Sequence, residues 1–569
     1  MRRKANLRDK LLLTVLIVVQ GCILLWISWS TAPGWDEWGH LSSGLYSLQY
    51  GDFSPYCVNP PLVRLFVSIP VFLGGGGIAF EPIPHEFRTE ALLALAYIQQ
   101  HGEDCFYWIS VARTAMIPVS IFGTYVLWIV GCRMYGATCG FMAAWLWAFS
   151  PTVLAFGASI TPDISAVVFG LWSAYRCFIW LRQGSLGNAA LLGIGIGTAM
   201  LCKSTWIILP PIYIVLCVVY FVSKGQRYWC WRSRLGQTMV ALAVAWVLVH
   251  ACYDFRGVLR PLGEFQFVSQ SLSGIEGRKL SNGGNRFRRT WCENIPVPLP
   301  ADYIRGIDFQ KLDFELRMPS YFIGVTRDQG WWYYYILGIV FKEPAALWGL
   351  AIVCWSGIFA RNRKWEMSVR KRTMAYCIYA PGVVVLLFVS TQTGFNHHLR
   401  YVLPFFPCLF LTITCQVSWT TRKLRILASS MLLLYSACSI SILPRSYAYF
   451  SEIVGGSRQG WRYMNASNLD WGQDLLTLKH WIDRHPENRP IYVLYTIPIL
   501  DLRKLGIEAE YGDDSMTENG PVKPGWWAVF ASPMLEGNNA WFRYRQPDVE
   551  LSVTTRLYYI PSHEKVRNE

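Results

Sequence analysis

The sequence has 569 residues, of which 53% are hydrophobic and only 16% are charged, and its mean hydropathy is +0.26. This composition excludes a soluble globular protein and indicates a polytopic membrane protein. The formal net charge of +15 does not require a nucleic-acid partner, because membrane lipids with anionic head groups or a phosphate-bearing substrate account for it better.

The first predicted element is a membrane-spanning helix. The apolar run from Leu11 to Ala32 has about the 20 residues that a helix needs to cross a bilayer, and basic residues precede it. Trp26 and Trp29 occupy its far end, where a signal peptide would have small residues around a cleavage site. We therefore predict an uncleaved helix with a cytoplasmic N-terminus.

Further apolar runs follow, and together they predict about eleven crossings. They lie at 107–130, 137–155, 160–181, 187–202, 205–222, 236–252, 333–360, 373–393, 400–418 and 426–443. The basic residues of the short loops fall on the same side as the N-terminus, as the positive-inside rule requires. They are Arg133, Arg182, the group from Lys224 to Arg234, Arg361 to Lys364 with Arg370 to Arg372, and Arg422 to Arg425. An odd number of crossings places the tail after the last one outside.

Three segments on the outer side are too long to be simple connectors: 33–106, 253–330 and 444–569. The first contains an amphipathic stretch, Leu62 to Leu73, which we predict to lie flat on the membrane. The second carries a basic cluster from Arg278 to Arg289, a pattern that is more often a solvated face than a lipid contact.

The third segment, the tail, has the pattern of a small α/β domain. Strands are predicted at Ile491 to Thr496, Trp526 to Ala531 and Leu557 to Ile560, and an amphipathic helix is predicted at Leu475 to Asp483. The predicted architecture is therefore a polytopic α-helical membrane domain, 1–443, followed by an extracytoplasmic α/β domain, 444–569.

Ionisable residues gather near the predicted outer ends of the helices. They are Asp36 and Glu37 after the first helix, Asp163 at the start of the fourth, Lys203 after the fifth, Lys342 and Glu343 near the eighth, and His397, His398 and Arg400 before the tenth. Such groups are costly in a membrane and are functional candidates for that reason. Carboxylates mixed with cations suit a reaction in which one group removes a proton while others hold an anion such as phosphate.

These residues lie in motifs that resemble the GT-C membrane glycosyltransferases that use polyprenyl-phosphate sugars. The resemblance is closest to the branch of protein O-mannosyltransferases and lipid A aminoarabinose transferases, similar to glycosyltransferase family 39. The motifs follow one another through the chain: the pair Asp36-Glu37, NPPLVRL at Asn59 to Leu65, TPD at Thr161 to Asp163, CKS at Cys202 to Ser204, FKEP at Phe341 to Pro344, HHLRYVLPFFP at His397 to Pro407, and NLDWGQDLL at Asn468 to Leu476. The loop at 253–330 matches no motif.

The resemblance implies an inverting transfer of a sugar from a polyprenyl-phosphate donor to a protein, lipid or glycan acceptor in the outer compartment. We expect the membrane to be a bacterial cytoplasmic (inner) membrane; a eukaryotic endoplasmic reticulum membrane, with the site in the lumen, stays open. The resemblance makes Asp36 the general base, with Glu37 and Asp163 as further catalytic candidates. Arg400 and Lys203 would then bind the donor phosphate and stabilise its charge. Secondary candidates for this role are Arg64, His398 and Lys342. We expect no nucleotide and no cofactor that the sequence requires, and the need for a divalent metal stays open.

Structural roles stay open for several of these residues. Asp36 could cap the chain as it leaves the first helix, Glu37 could only orient its neighbour, and Asp163 could only start a helix. Lys203 could extend towards the membrane interface. In the tail, Asn468 or Asp470 is predicted to cap the helix that follows.

Three other functions also stay open: an oligosaccharide transferase that uses a diphosphate-linked donor, a transporter, and a noncatalytic scaffold. Against a transporter, the charges gather at one face and no inverted halves are recognisable. Cys57 and Cys105 both lie in the first outer segment, where an oxidising compartment would allow a disulfide between them.

Overall fold

The computed structural model describes residues 6–81, 89–224, 229–275, 283–359, 367–417 and 421–562. Within these ranges the α-helices are α1 (Leu7–Ser30), α2 (Trp35–Tyr50), α3 (Leu62–Leu73), α4 (Thr89–His101), α5 (Asp104–Tyr135), α6 (Ala137–Phe149), α7 (Pro151–Gly157), α8 (Asp163–Arg182), α9 (Leu186–Cys202), α10 (Leu209–Lys224), α11 (Trp229–Cys252), α12 (Gln270–Ser273), α13 (Ala301–Glu315), α14 (Tyr334–Lys342), α15 (Ala345–Phe359), α16 (Val369–Thr391), α17 (Phe406–Thr414), α18 (Arg422–Ile440) and α19 (Leu475–Arg484). Arg278, the loop from Arg361 to Lys364 and part of the group from Lys224 to Arg234 lie outside the described residues.

The prediction of a polytopic helical membrane protein is confirmed. Seven of the described helices are long and apolar enough to cross a membrane, namely α1, α5, α8, α10 with the turn before it, α11, α16 and α18. Two bent pairs, α6 with α7 and α14 with α15, raise the number to nine if each pair is one span. The other two predicted crossings correspond to shorter apolar helices, Leu186–Cys202 and Leu399–Thr414. The described residues therefore contain seven to nine helices that could span a membrane, compared with the eleven or so crossings predicted from the sequence.

The short helix α9 packs closely against α11 because glycines face the contact. A Cβ atom on Gly193 would lie 2.4 Å from the carbonyl oxygen of Ala241, and one on Gly197 would lie 3.1 Å from that of Ala245. Glycines spaced four residues apart allow two backbones in a membrane to approach in this way. This packing holds Lys203, the residue that follows α9, in a fixed place.

The first long outer segment is helical rather than irregular. Helix α3 has the predicted bounds, with Val63, Val67 and Val71 buried on one face and Phe66 and Phe72 exposed on the other. The disulfide considered between the two cysteines of this segment is not formed, because both are buried free thiols.

The tail contains a five-stranded sheet, and its predicted α/β character is confirmed. The strands of the described chain are β1 (Ser320–Phe322), β2 (Val325–Arg327), β3 (Ile491–Leu494), β4 (Glu510–Tyr511), β5 (Met516–Thr517), β6 (Gly520–Pro521), β7 (Gly525–Phe530), β8 (Val549–Glu550) and β9 (Thr555–Ile560). The sheet has the order β4-β3-β7-β9-β8, with β3 parallel to β4 and β7 and with β9 antiparallel to β7 and β8. The three strands predicted from short apolar runs are its three central strands.

Candidate active site

A cavity of about 990 Å³ lies where ends of the membrane helices meet the tail. One wall carries Asp36, Asp163, Lys203 and Arg400, four of the residues that the sequence singles out. The tail also lines the cavity, with Asn465, Trp471, Thr496 to Leu500, Ser532, Pro533, Leu535 and Asn539. The fold thus brings the ends of distant helices and the α/β region around one space.

The four charged residues form a connected cluster. Arg400 Nη2 donates to Asp36 Oδ2 at 2.6 Å, and Arg400 Nη1 lies 3.7 Å from Asp163 Oδ2. Lys203 Nζ donates to the other oxygen of Asp163 at 2.6 Å. Two carboxylates and two cations therefore alternate along the wall, and each carboxylate contacts at least one cation. Buried charges require such pairing.

The guanidinium of Arg400 is also held by an aromatic ring from the tail. Its central carbon lies 4.6 Å from the centroid of Trp471, within the range of a cation–π contact. Trp471 fits there because Gly34 has no side chain: a Cβ atom at Gly34 would lie 2.5 Å from the indole. The backbone N–H of Trp35 donates to the carbonyl of Trp471 at 3.2 Å. The tail therefore fixes the orientation of Arg400.

Asp36 and Glu37 occupy the first turn of α2, but they face different surroundings. The side chain of Asp36 is 22% exposed and lines the cavity, whereas that of Glu37 is 0% exposed and does not. Glu37 accepts hydrogen bonds from the backbone N–H groups of Gly34 and Ile160. The carboxylate of Glu37 is turned into the protein and is surrounded by donors, an arrangement that favours the alternative role of orienting its neighbour; its catalytic role stays a prediction.

The partner of Glu37 is Arg113, in the middle of the spanning helix α5. Arg113 Nε and Nη2 donate to the two carboxylate oxygens at 2.8 and 2.5 Å, and its remaining hydrogens go to carbonyls of Ser28, Thr31 and Ala32 at the end of α1. The sequence reasoning missed Arg113. A single arginine inside a long apolar run is the signal that could have found it.

Two residues predicted to bind the donor phosphate donate hydrogen bonds to backbone carbonyls. Arg64 is 1% exposed and donates to the carbonyls of Tyr56, Asn59 and Phe53, and it does not line the cavity. Lys342 is 3% exposed and donates to the carbonyls of residues 447, 449 and 468. Carbonyl groups surround both cations, and these contacts hold loops together; phosphate binding by either residue stays a prediction.

His398 lies on the wall of the cavity, next to Arg400. Its Nδ1 atom is 2.7 Å from Ser467 Oγ. Burial lowers the pKa of His398 well below its usual value, and the neighbouring cations Arg400 and Lys203 act in the same direction. The imidazole is therefore neutral at pH 7, and His398 borders the charged cluster without adding a charge to it.

Asn468 and Asp470 do not cap the following helix, so the predicted capping role is wrong for both. The N-cap of α19 is Asp474, without a side-chain hydrogen bond. Asn468 Oδ1 instead accepts from the N–H of Leu399, and its Nδ2 donates to the carbonyl of His397. Asp470 accepts from Thr496 and from the N–H of Ser532. The NLDWGQDLL segment thus connects the charged cluster to the sheet.

The described residues contain no group of three or more His, Cys, Asp or Glu side chains that could hold a metal ion. The two carboxylates of the cavity, Asp36 and Asp163, are instead linked through Arg400.

Comparison with known proteins gives one family match. Residues 108–253, from α5 to the end of α11, match the family model described as Dolichyl-phosphate-mannose-protein mannosyltransferase. This match bears out the predicted resemblance to glycosyltransferases that use polyprenyl-phosphate sugars over those residues. No curated protein matches the sequence.

Several solved structures are similar at low sequence identity. ArnT from Cupriavidus metallidurans bound to undecaprenyl phosphate is 12% identical, with a TM-score of 0.44, over 96% of this chain and 97% of that chain. The oligosaccharyltransferase AglB from Archaeoglobus fulgidus is 10% identical, with a TM-score of 0.46, over 92% and 70%. The S. cerevisiae protein O-mannosyltransferase complex Pmt1-Pmt2 is 17% identical, with a TM-score of 0.34, over 45% and 34%.

Proposed function

We propose that this protein is an inverting glycosyltransferase that moves a sugar from a polyprenyl-phosphate donor to a protein, lipid or glycan acceptor. The observation that carries the proposal is the alternating cluster of two carboxylates and two cations on the wall of one cavity. A base for the acceptor and cations for the leaving phosphate are the groups that such a transfer needs.

In the proposed reaction Asp36 is the general base. The acceptor O–H or N–H attacks the anomeric carbon, a new bond forms there, and the bond from that carbon to the phosphate oxygen breaks. The proton goes to the Asp36 carboxylate, and the electron pair of the broken bond leaves with the polyprenyl phosphate. Asp36 suits this role better than Glu37 because its side chain is partly exposed to the cavity while Glu37 is fully enclosed.

Arg400 and Lys203 would stabilise the charge that develops on the leaving phosphate. Both are cations on the cavity wall, and each now contacts a carboxylate. A phosphate that shares Arg400 would weaken the contact of the guanidinium with Asp36 and leave an oxygen of that carboxylate free to take the acceptor's proton. Donor binding and base activation would then be coupled through one residue.

We further propose that the cavity and the tail face the outside of a cytoplasmic membrane. The positions of the basic loops in the sequence support this orientation. A lipid-linked donor would reach the cavity along the membrane helices, and the acceptor would approach from the side formed by the tail.

The experiment that tests the function uses the purified protein in detergent with radiolabelled polyprenyl-phosphate-linked hexoses and pentoses, and with cell extract as the source of acceptor. We expect one of these donors to be consumed, with release of polyprenyl phosphate. Consumption of a diphosphate-linked oligosaccharide alone would replace the proposal with the alternative transferase.

Substitution of the base gives the first specific prediction. Asp36→Asn should reduce transfer by roughly a hundred- to ten-thousandfold, the loss expected when general base catalysis is removed, while donor binding stays near the wild-type value. The matched control is Asp483→Asn, since Asp483 is an exposed residue of α19 that does not line the cavity. An Asp36→Asn protein that transfers sugar within a few-fold of wild type would remove Asp36 as the base.

A further inference from the structure

His40 is a residue of the cavity wall that neither the motifs nor the proposed chemistry uses. It lies on α2, is 2% exposed, and packs against Tyr56 with ring centroids 4.5 Å apart. Its Nε2 atom is buried and has no hydrogen-bond partner in the described part of the chain. A buried polar atom without a partner costs free energy, so it calls for a specific explanation.

The imidazole of His40 is uncharged at neutral pH. Burial lowers its pKa to about 3, and the cations Arg64 and Arg400 act in the same direction, while Asp36 and Asp163 oppose it without overcoming the burial. A neutral imidazole donates from one nitrogen and accepts at the other. It therefore suits an uncharged hydroxyl group better than a phosphate.

The position of His40 relative to Asp36 narrows the choice of ligand. The two residues are four apart on one helix, so they share a face with Cβ atoms about 5 to 6 Å apart. Arg400 contacts Asp36 directly, which places the phosphate-binding group beside the base. A sugar bonded to that phosphate would extend from this point, and His40 lies within the reach of a hexose or pentose ring.

We propose that His40 binds a hydroxyl group of the transferred sugar through its Nε2 atom. This inference rests on the proposed function, because it assumes a sugar joined to a phosphate beside Arg400. His40 would distinguish the sugar-bearing donor from the bare lipid phosphate that leaves after transfer. It would thereby favour donor over product in the cavity.

The test compares two probes in equilibrium binding to the full-length protein: the polyprenyl-phosphate sugar that the wild-type protein binds, and the same polyprenyl phosphate without a sugar. His40→Phe keeps a ring against Tyr56 but removes the hydrogen bond. We expect it to weaken binding of the sugar-bearing probe by about three- to tenfold, the scale of one hydrogen bond, and to leave binding of the bare phosphate unchanged. His40→Gln, which keeps a hydrogen-bonding amide, should restore most of the lost affinity.

Two further variants make the result specific. Arg400→Ala should weaken binding of both probes, and His480→Ala, at an exposed position of α19, should weaken neither. If His40→Phe does not fold, His40→Leu takes its place with the same expectation.

Equal effects of the His40 substitution on the two probes, or no effect on either, would overturn the role of His40 alone. A wild-type protein that binds no polyprenyl-phosphate sugar would instead overturn the proposed function, and the role of His40 with it.

Discussion

At the scale of single residues, the two cations of the cavity differ in the number of groups that each contacts. Arg400 contacts Asp36, Asp163 and the ring of Trp471, whereas Lys203 contacts, among the described residues, a single carboxylate, that of Asp163, and the ring of Tyr401. The planar guanidinium can make several directed contacts at once, and an ammonium group acts more as a point charge. We therefore expect replacement of Arg400 to weaken the binding of the donor phosphate more than replacement of Lys203 does.

We expect Arg400→Ala to raise the KM for the donor or to lower kcat by on the order of ten- to a hundredfold, the scale of a lost hydrogen bond to a charged group. Arg400→Lys should restore only part of the activity, because lysine cannot reproduce the two-point contact. Initial rates measured over a range of donor concentrations separate the two parameters. Native rates for Arg400→Ala at every donor concentration would contradict this assignment.

The buried pair of Glu37 and Arg113 shows how a motif residue can act by positioning. Arg113 joins the end of α1 to Glu37, and Glu37 in turn binds the N–H of Gly34 at the start of α2. The turn between α1 and α2 is thereby held in place, and Asp36 with it. Of the two neighbouring acidic residues, Asp36 faces the cavity, and Glu37 holds the turn that positions Asp36.

At the scale of the elements, two bent helix pairs are joined by one carboxylate. The chain bends by 61° at Ser150, before Pro151, and by 97° at Glu343, before Pro344. A helix commonly ends at the residue before a proline, so both breaks are encoded locally. Glu343 Oε1 accepts from Ser150 Oγ at 2.7 Å and from Thr152 Oγ1 at 2.9 Å, so it connects one break to the other.

Removal of this carboxylate should destabilise the protein rather than change its chemistry. Glu343→Ala leaves the buried hydroxyls of Ser150 and Thr152 without their acceptor, and each such group costs roughly 1 to 3 kcal/mol. The hydroxyl of Tyr435 keeps only its longer contact, with the carbonyl of Leu146. We expect a lower Tm for thermal unfolding in detergent. Glu343→Gln, whose carbonyl oxygen still accepts, should lie between the two proteins, and exposed Glu487→Ala should match wild type. An unchanged Tm for Glu343→Ala would show that the two breaks do not need this connection.

At the scale of the whole molecule, the tail completes the cavity rather than standing apart from it. Trp471 covers Arg400, and Arg445 Nε, just after the last spanning helix, donates to Asp474 at 2.7 Å. Lys342 donates to the carbonyls of residues 447 and 468 in the tail. The tail and the cavity must therefore lie on the same side of the membrane.

Cysteine labelling tests whether the tail lies on the extracytoplasmic side of the membrane. In a background without reactive native thiols, Glu487→Cys in the tail should react with a membrane-impermeant maleimide in intact cells. Ser368→Cys, at the start of α16 on the opposite side, should react only after the membrane is permeabilised. Both positions lie outside the cavity, and the background protein without an added cysteine is the control. Labelling of the tail only after permeabilisation would place the cavity in the cytoplasm and contradict the orientation.

The sequence by itself determined the class of the protein, the positions of its apolar helices and the central strands of the tail. Each of these depends on a local property. A long apolar run forms a membrane helix, and a short run rich in β-branched and aromatic residues forms a buried strand. The sequence also indicated Asp36, Asp163, Lys203 and Arg400, because ionisable residues beside membrane helices are rare.

Only the tertiary structure decided which of the charged residues face the cavity. Glu37, Arg64 and Lys342 resemble the site residues in type and in position along the chain, yet each is enclosed by hydrogen-bond partners. For Glu37 and Lys342 these partners come from distant segments: Arg113 is 76 residues from Glu37, and Tyr447 is 105 residues from Lys342. A buried charge must find partners wherever the packed chain supplies them, so its role is set by contacts between distant segments and not by its own neighbours in the sequence.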